Sequence, residues 1–297
     1  MKLSLGLTLL LPLRGVSSQE LIFRYDQGSG DVRGVTEVDG GVFVTSIKDW
    51  TTSTIRKLNL KGQVEAKQQV DGAFANTVSP RNPDSILALL YKDNSHRITA
   101  FHARNLTVVF STELIGEFGG NCLFSTKTSG QAIFSNKNAV TSDLAPLVIT
   151  KSDGSILLQL AGSFQGVLNC PVVSHDEGIL YVVRDFSYPH RPMVQAYSMA
   201  NGTLTIESNL TSVGSNALGL AESGPALSPD GFLYAKAFRL GDTESNTTDA
   251  SFLARFNSTL LDDRVELKLP EEFWKGSFEY NPPLVSPDGK IVYLFGL

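Results

Sequence analysis

One phrase recurs along the chain: a short apolar run, Ser-Pro-Asp-Gly or a degenerate form of it, then a second apolar run that often ends in Tyr. Two copies are close, Pro225-Ala-Leu-Ser-Pro-Asp-Gly-Phe-Leu-Tyr234 and Pro283-Leu-Val-Ser-Pro-Asp-Gly-Lys-Ile-Val-Tyr293, and Pro171-Val-Val-Ser-His-Asp-Glu-Gly-Ile-Leu-Tyr181 is looser. Weaker copies are Thr77-Val-Ser-Pro-Arg-Asn-Pro-Asp-Ser-Ile-Leu87, Leu123-Phe-Ser-Thr-Lys-Thr-Ser-Gly-Gln-Ala-Ile133 and Glu37-Val-Asp-Gly-Gly-Val-Phe-Val44. Anchored on the residue closing each turn (Gly41, Ser85, Gly130, Gly178, Gly231, Gly289), the copies are 44, 45, 48, 53 and 58 residues apart. Asp-Gly between two β-rich runs supplies the positive φ of a tight hairpin, so each phrase predicts two antiparallel strands, A and B.

A second pair, C and D, follows each hairpin. Thr54 to Leu60 turns at Lys61-Gly62 into Gln63 to Val70, and Met193 to Ser198 turns at Asn201-Gly202 into Thr203 to Ser208. The other units show Ile98 to His102 before Leu106 to Phe110, Leu147 to Thr150 before Ile156 to Ala161, and Phe252 to Phe256 before Val265 to Leu269. No amphipathic stretch of three helical turns competes. Four short strands per unit predict an all-β fold, a β-propeller of about six four-stranded blades. The last blade is incomplete, because only Lys290 to Leu297 follows Gly289. Leu21 to Tyr25 is expected to lend it an outer strand, since closure removes exposed sheet edges. Two arrangements stay open: a sixth blade closed on three strands, or a truncated seven- or eight-bladed propeller.

The unit resembles the PQQ-like repeat of the quinoprotein alcohol dehydrogenase-like β-propeller superfamily, with an Asp-Gly turn, a Leu-Tyr strand and a strand such as Val194-Gln-Ala-Tyr-Ser-Met-Ala-Asn-Gly202. The resemblance covers nearly all of the chain after its first residues. It implies the fold, and it implies either a dehydrogenase using PQQ and calcium or one of the superfamily's non-catalytic scaffolds and binding modules. The chain departs from the pattern: its tryptophans are only Trp50 and Trp274, it has no adjacent cysteine pair to lie on a quinone, and no calcium-site constellation is recognisable. No catalytic residue therefore carries over.

The N-terminus addresses the compartment. Met1-Lys2, the apolar run Leu3 to Leu13, and the small residues Val16 and Ser18 before Gln19 suit a secretory signal peptide over residues 1–18 and are too short to span a bilayer. Residues 19–297 then form a single exported β-propeller domain with no later membrane span. Five Asn-x-Ser/Thr sequons, at Asn105, Asn201, Asn209, Asn246 and Asn257, are candidate glycosylation sites. A net charge of -5, with 25 Lys+Arg dispersed along the chain, lacks the basic stripe that nucleic acid requires.

In a four-stranded blade the A–B and C–D turns lie at one end, and the B–C and D–A connections at the other. Asn105, Asn201 and Asn257 fall at predicted C–D turns, which places sugars at the Asp-Gly end and leaves the other end as the expected ligand face. There a basic residue followed by Asp or Asn recurs after strand B: Lys48-Asp49, Lys92-Asp93, Lys137-Asn138 and Arg184-Asp185, with Arg239 in the next unit. Recurrence in every blade fits a blade-to-blade bridge or turn cap; the functional alternative is a charged ring around the channel mouth. The loop Asp185 to Pro192 gathers Phe186, Tyr188, His190 and Arg191, material suited to a sugar or small molecule. The four histidines, His96, His102, His175 and His190, match no metal spacing, so no metal site is expected.

Cys122 and Cys170 are 48 residues apart, one repeat, each preceded by Asn (Asn121, Asn169) and each just before strand A of its blade. Equivalent positions on neighbouring inner strands favour a disulfide in an exported protein, the alternative being two buried thiols. Asn121 and Asn169 would then line the channel mouth as ligand contacts or turn caps. No nucleophile elbow, carboxylate pair or phosphate loop occurs. The expected role is a secreted binding or interaction module for a protein, glycan or small molecule; the alternative is a quinone-dependent oxidoreductase or propeller hydrolase.

Overall fold

The computed structural model describes residues 6–10, 21–26, 31–38, 41–49, 51–74, 79–82, 84–93, 95–114, 120–136, 147–160, 170–184, 193–210, 219–221, 224–239, 250–270 and 282–294. Every regular element among them is a strand. β1 (Gly6–Leu10) pairs with β2 (Leu21–Asp26). Blade 1 is β3 (Asp31–Val38), β4 (Gly41–Asp49), β5 (Thr52–Asn59) and β6 (Val64–Asp71). Blade 2 is β7 (Ala73–Phe74), β8 (Ser79–Asn82), β9 (Ser85–Lys92), β10 (Ser95–His102) and β11 (Val108–Leu114). Blade 3 is β12 (Gly120–Ser125), β13 (Ala132–Asn136), β14 (Leu147–Thr150) and β15 (Ile156–Gln159). Blade 4 is β16 (Val172–Val173), β17 (Ile179–Arg184), β18 (Met193–Ser198) and β19 (Leu204–Asn209). Blade 5 is β20 (Gly219–Ala221), β21 (Ala226–Leu227), β22 (Phe232–Arg239), β23 (Ala250–Asn257) and β24 (Val265–Lys268). β25 (Leu284–Val285) and β26 (Val292–Tyr293) form the incomplete last blade.

The sheets of blades 1, 3 and 4 run in chain order, each strand beside the next, as the repeat predicts. Blades 2 and 5 differ from a plain four-stranded blade in the same way, because two short segments share the work of strand A. In blade 2 the register passes from Phe74↔Leu90 to Ser79↔Leu87, five residues on one strand against three on the other. In blade 5 it passes from Ala221↔Ala237 to Ala226↔Tyr234, with the same excess of two. Extra residues on one strand break the ladder locally, as in a bulge. The strand at Leu21–Asp26 also forms as expected, but among the described residues it pairs antiparallel with β1 and not with the last blade.

Burial runs across each blade and accounts for the composition of its strands. β9 is buried at six consecutive positions and β14 at all four, so both read as continuous apolar runs. The last strands β6, β11 and β19 alternate exposed and half-buried positions, with a polar residue at every other site.

The chain divides into two compact units. One comprises Met1–Ile115, Leu123–Ala132 and Ser152–Ser155. Its core packs Phe43, Ile55 and Val70 of blade 1 against Phe74, Ile86, Ala88, Leu90 and Phe101 of blade 2. The other comprises Gly116–Cys122, Ile133–Lys151 and Ile156–Leu297. Here Tyr181, Val183 and Val194 of blade 4 meet Leu233, Ala235, Ala237, Ala254 and Phe256 of blade 5. Each cluster joins apolar side chains of two neighbouring sheets into one close-packed layer.

Candidate functional site

The A–B turns are built alike. In blade 5 Ser228 Oγ donates to Asp230 Oδ1 at 2.5 Å and accepts the Phe232 N–H at 2.9 Å, while the Gly231 N–H caps the Ser228 carbonyl. Ser174–Asp176 in blade 4 and Ser286–Asp288 in the last blade repeat it, with Ile179 and Ile291 as backbone donors. In blade 3 Thr126 Oγ1 takes the role of the serine and accepts the Gln131 N–H. The serine hydroxyl, together with a backbone N–H from Gly178 or Lys290, holds the Asp176 and Asp288 carboxyls below their ordinary values. These are turn-making interactions, and they explain why the phrase recurs.

The C–D turns carry the sequons. In blade 2 the Leu106 N–H donates to the His102 carbonyl, and Asn105 Oδ1 accepts both the Thr107 N–H (3.1 Å) and the Thr107 hydroxyl (2.9 Å). Blade 4 has the same turn: Gly202 N–H to Ser198 carbonyl, with Asn201 Oδ1 accepting the Thr203 N–H (3.1 Å) and hydroxyl (2.8 Å). Blade 3 builds it with aspartate, Asp153 Oδ1 accepting the Ser155 N–H (2.8 Å) and hydroxyl (2.7 Å). The residue after each is left-handed: φ is 61° at Leu106, 88° at Gly154 and 72° at Gly202. Leu106 bears that conformation without glycine because its side chain is fully buried in the core of its unit. Asn257 stands at an earlier position of its turn, equivalent to His102, and its Oδ1 accepts only the Thr259 N–H. Asn209 is exposed at the far end of β19, its carbonyl held by Arg264; Asn246 lies outside the described residues.

At the opposite end, the recurring basic residue does different work in different blades. Lys92, last in β9, sits 2.5 Å from Asp71 at the end of the previous blade's outer strand, and the hydrogen bond to Asp71 raises the ammonium's pKa. Asp93 follows in the left-handed conformation, φ 49°, and lies 3.9 Å from the same ammonium. Arg184, last in β17, is instead buried beside Tyr197 and Glu207 of its own blade. Tyr197 donates to Gln195 Oε1 at 2.9 Å, and Gln195 Nε2 donates to Glu207 at 3.0 Å, so one polar chain crosses β18 and β19 beneath the guanidinium. Burial lowers the pKa of Arg184 and raises that of Tyr197. Lys48 and Asp49 close β4, and Arg239 closes β22. Asp185, Tyr188, His190, Lys137 and Asn138 lie outside the described residues.

Asp71 and Glu207 belong to no recurring phrase, and Gln195 and Tyr197 stand in one only as members of a strand. Asp71 ends a D strand as Lys92 ends a B strand, a register signal visible only once blades are aligned. Gln195 and Tyr197 are buried polar residues of β18, and Glu207 stands at an exposed position of β19.

The cysteines are joined. Cys122 of β12 and Cys170, two residues before β16, form a disulfide with Cα atoms 5.2 Å apart. The bond is compatible with an oxidising compartment. Asn121 lies in β12, and Asn169 falls outside the described residues. His96 is buried against Tyr91, ring centroids 4.9 Å apart, and burial lowers its pKa. His102 and His175 are exposed, and the His175 ring meets the Ser228 carbonyl at 3.2 Å. Among the described residues no three His, Cys, Asp or Glu side chains gather as a metal ion could use. No helix of the described residues is long and apolar enough to cross a membrane.

No protein-family model matches the chain, and no curated protein does. Among solved structures it is similar to hydrazine synthase from Kuenenia stuttgartiensis, with a TM-score of 0.55 and 12% identity, covering 90% of this chain and 76% of that one. It is also similar to the Dos1 propeller (TM-score 0.49, 8% identity, 88% of this chain and 74% of that one). A third is cobalt-substituted apocarotenoid oxygenase from Synechocystis (TM-score 0.44, 12% identity, 81% and 61%). At such identities the first likeness speaks for fold alone. With the strand order of the sheets, it makes the chain an all-β protein of the β-propeller class whose last blade is incomplete.

Proposed function

We propose that this protein is an exported, N-glycosylated β-propeller that works as a binding module, its ligand held at the B–C and D–A end of the blades. The observation that carries the reading is the placement of Asn105, Asn201 and Asn257, all at C–D turns, with Asn105 and Asn201 in one repeated turn. Sugars there crowd the Asp-Gly end and leave the other end open to a protein, glycan or small molecule. The disulfide supports export, since such bonds persist in oxidising compartments. Residues 1–18 act as the signal peptide, and Lys48, Asp49, Asp93, Tyr188 and His190 contribute to the ligand face together with Asn121 and Asn169.

The PQQ-like resemblance is read here as kinship of repeat and not of chemistry. The cysteines that would flank a quinone as an adjacent pair are instead 48 residues apart and bonded to each other. The test is expression in a eukaryotic secretory host, followed by glycopeptide mass spectrometry and a binding screen against extracellular proteins and glycans. Glycans at the three C–D sequons, and binding lost on Tyr188→Ala or His190→Ala but kept on Asp176→Ala, support the reading. Unmodified sequons, or quinone absorbance in the purified protein, overturn it.

A further inference from the structure

Each of the three matching C–D turns is followed by an exposed apolar residue that opens the outer strand. Val108, three residues after Asn105, is 53% exposed; Leu204, three after Asn201, 46%; and Ile156, three after Asp153, 40%. Two of the three turns have asparagine in a sequon, and the third has aspartate at the same place in the same hydrogen-bonded turn. In both sequons the turn is made by Oδ1, while Nδ2, the atom a glycan is attached to, takes no part in those bonds. Glycosylation is therefore compatible with the folded turn.

We propose that N-linked glycans on Asn105 and Asn201 serve as apolar covers, the first N-acetylglucosamine of each lying over Val108 or Leu204. This rests on the export reading above. In the attachment step Nδ2 forms a bond to C1 of the sugar of a lipid-diphosphate-linked oligosaccharide. The C1–O bond to the lipid diphosphate breaks, the lipid diphosphate leaves with the electron pair, and the amide nitrogen gives up one proton. Three extended residues span at most about 10 Å, so the linked sugar reaches the side chain that opens the strand. Its N-acetyl methyl group and ring C–H face remove apolar surface from water there. Blade 3 has no such cover, because Asp153 cannot accept a glycan, and Ile156 stays bare.

The turn supplies its own control. An amidase that strips the whole glycan leaves aspartate, and Asp153 shows that aspartate makes the same turn, so deglycosylation changes the cover and not the backbone. The secreted protein is compared in three forms: intact, trimmed by an endoglycosidase to one N-acetylglucosamine, and amidase-treated. The readouts are fluorescence of an apolar dye and the thermal midpoint. The trimmed form should match the intact one. The amidase-treated form should bind more dye and melt about 2–4 °C lower, the shift expected for one modest stabilising contribution in a chain of this size. In a Val108→Ser, Leu204→Ser double variant the dye response to the amidase should disappear. An amidase-treated form indistinguishable from the intact one, or a trimmed form as poor as it, overturns the proposal while the export reading stands. Absence of glycan at both asparagines in the mass spectrum overturns the proposal together with the glycosylation part of that reading.

Discussion

Gly154 is the point at which the turn of blade 3 leans on blade 2. Its φ of 88° lies in the left-handed region, and a Cβ built there would stand 2.4 Å from Phe110 Cδ2 and 2.5 Å from Phe110 Cγ. Thr112 Oγ1 also donates to the Gly154 carbonyl at 2.5 Å, which fixes the turn against the same strand. Gly154→Ala meets two separate penalties. The left-handed conformation costs about 1–2 kcal/mol for a residue with a Cβ. Overpacking against the root of an aromatic ring, which cannot retreat by rotating its tip, costs about 1–3 kcal/mol more. The sum is about 2–5 kcal/mol, read as a fall of about 4–10 °C in the thermal midpoint.

A double-mutant cycle with Phe110→Ala separates the two terms. Removing the ring takes away the two shortest contacts but leaves the Phe110 Cβ at 3.0 Å and the backbone cost. The double variant should therefore be more stable than the sum of the single effects predicts, by about 1–3 kcal/mol. Denaturant melts of the four proteins, folded and glycosylated alike, give the coupling. If the costs add to within about 0.5 kcal/mol, Phe110 does not oppose a side chain at 154 and the packing described here is wrong. Gly202→Ala offers a companion case: the obstacles there are Leu158 Cβ at 2.9 Å and the Leu157 carbonyl at 3.2 Å, so no side-chain truncation beyond Cβ should relieve it.

The Cys122–Cys170 bond closes a loop of 48 residues, for which unfolded-state entropy gives about 4 kcal/mol; Cys122→Ala with Cys170→Ala, or reduction of the native protein, should lower the midpoint by about 8 °C. A free-thiol assay that titrates two thiols in the unreduced, denatured protein would contradict the bridge itself. His96 has a folded pKa held below its ordinary 6.5 by burial, so the unfolded chain binds the extra proton first and stability falls as pH drops from about 6.5 through the folded value. His96→Phe should flatten that slope in melts taken across the range. Asp176 and Asp288 have folded pKa values below 3.8, so their contribution is complete above the ordinary carboxylate range and is lost as pH falls through the lowered values; Ser174→Ala with Ser286→Ala should reduce this acid-side loss.

What the sequence makes legible here is whatever a few adjacent residues decide. The strands Leu147–Thr150 and Met193–Ser198 appear where apolar runs end at turn residues, and the A–B turns appear where a hydroxyl and an aspartate stand two apart. Features that need a partner elsewhere are not legible. Leu106 carries no glycine signal, yet it is left-handed at φ 61°, because complete burial of its side chain outweighs the backbone cost that Gly154 and Gly202 avoid. The pairing of Lys92 with Asp71 spans 21 residues, and nothing in the Lys-Asp dipeptide distinguishes it from Arg184-Asp185, whose arginine turns inward to Tyr197 and Glu207. A ring of equivalent charges was one reading of that recurrence. The two basic residues whose side chains are described have different partners, one an exposed carboxylate of the preceding blade and the other the buried Tyr197 together with Glu207 of its own blade. The recurrence thus marks a position at the strand end and not one shared interaction. By the same logic the sequons are more informative than the charges: an Asn105 or Asn201 side chain makes its turn with Oδ1 alone, and the identical turn at Asp153 shows that the fold does not require the amide nitrogen. If sugars are attached as proposed, Nδ2 is the atom that carries them, and the Oδ1 bonds that make each turn are left in place.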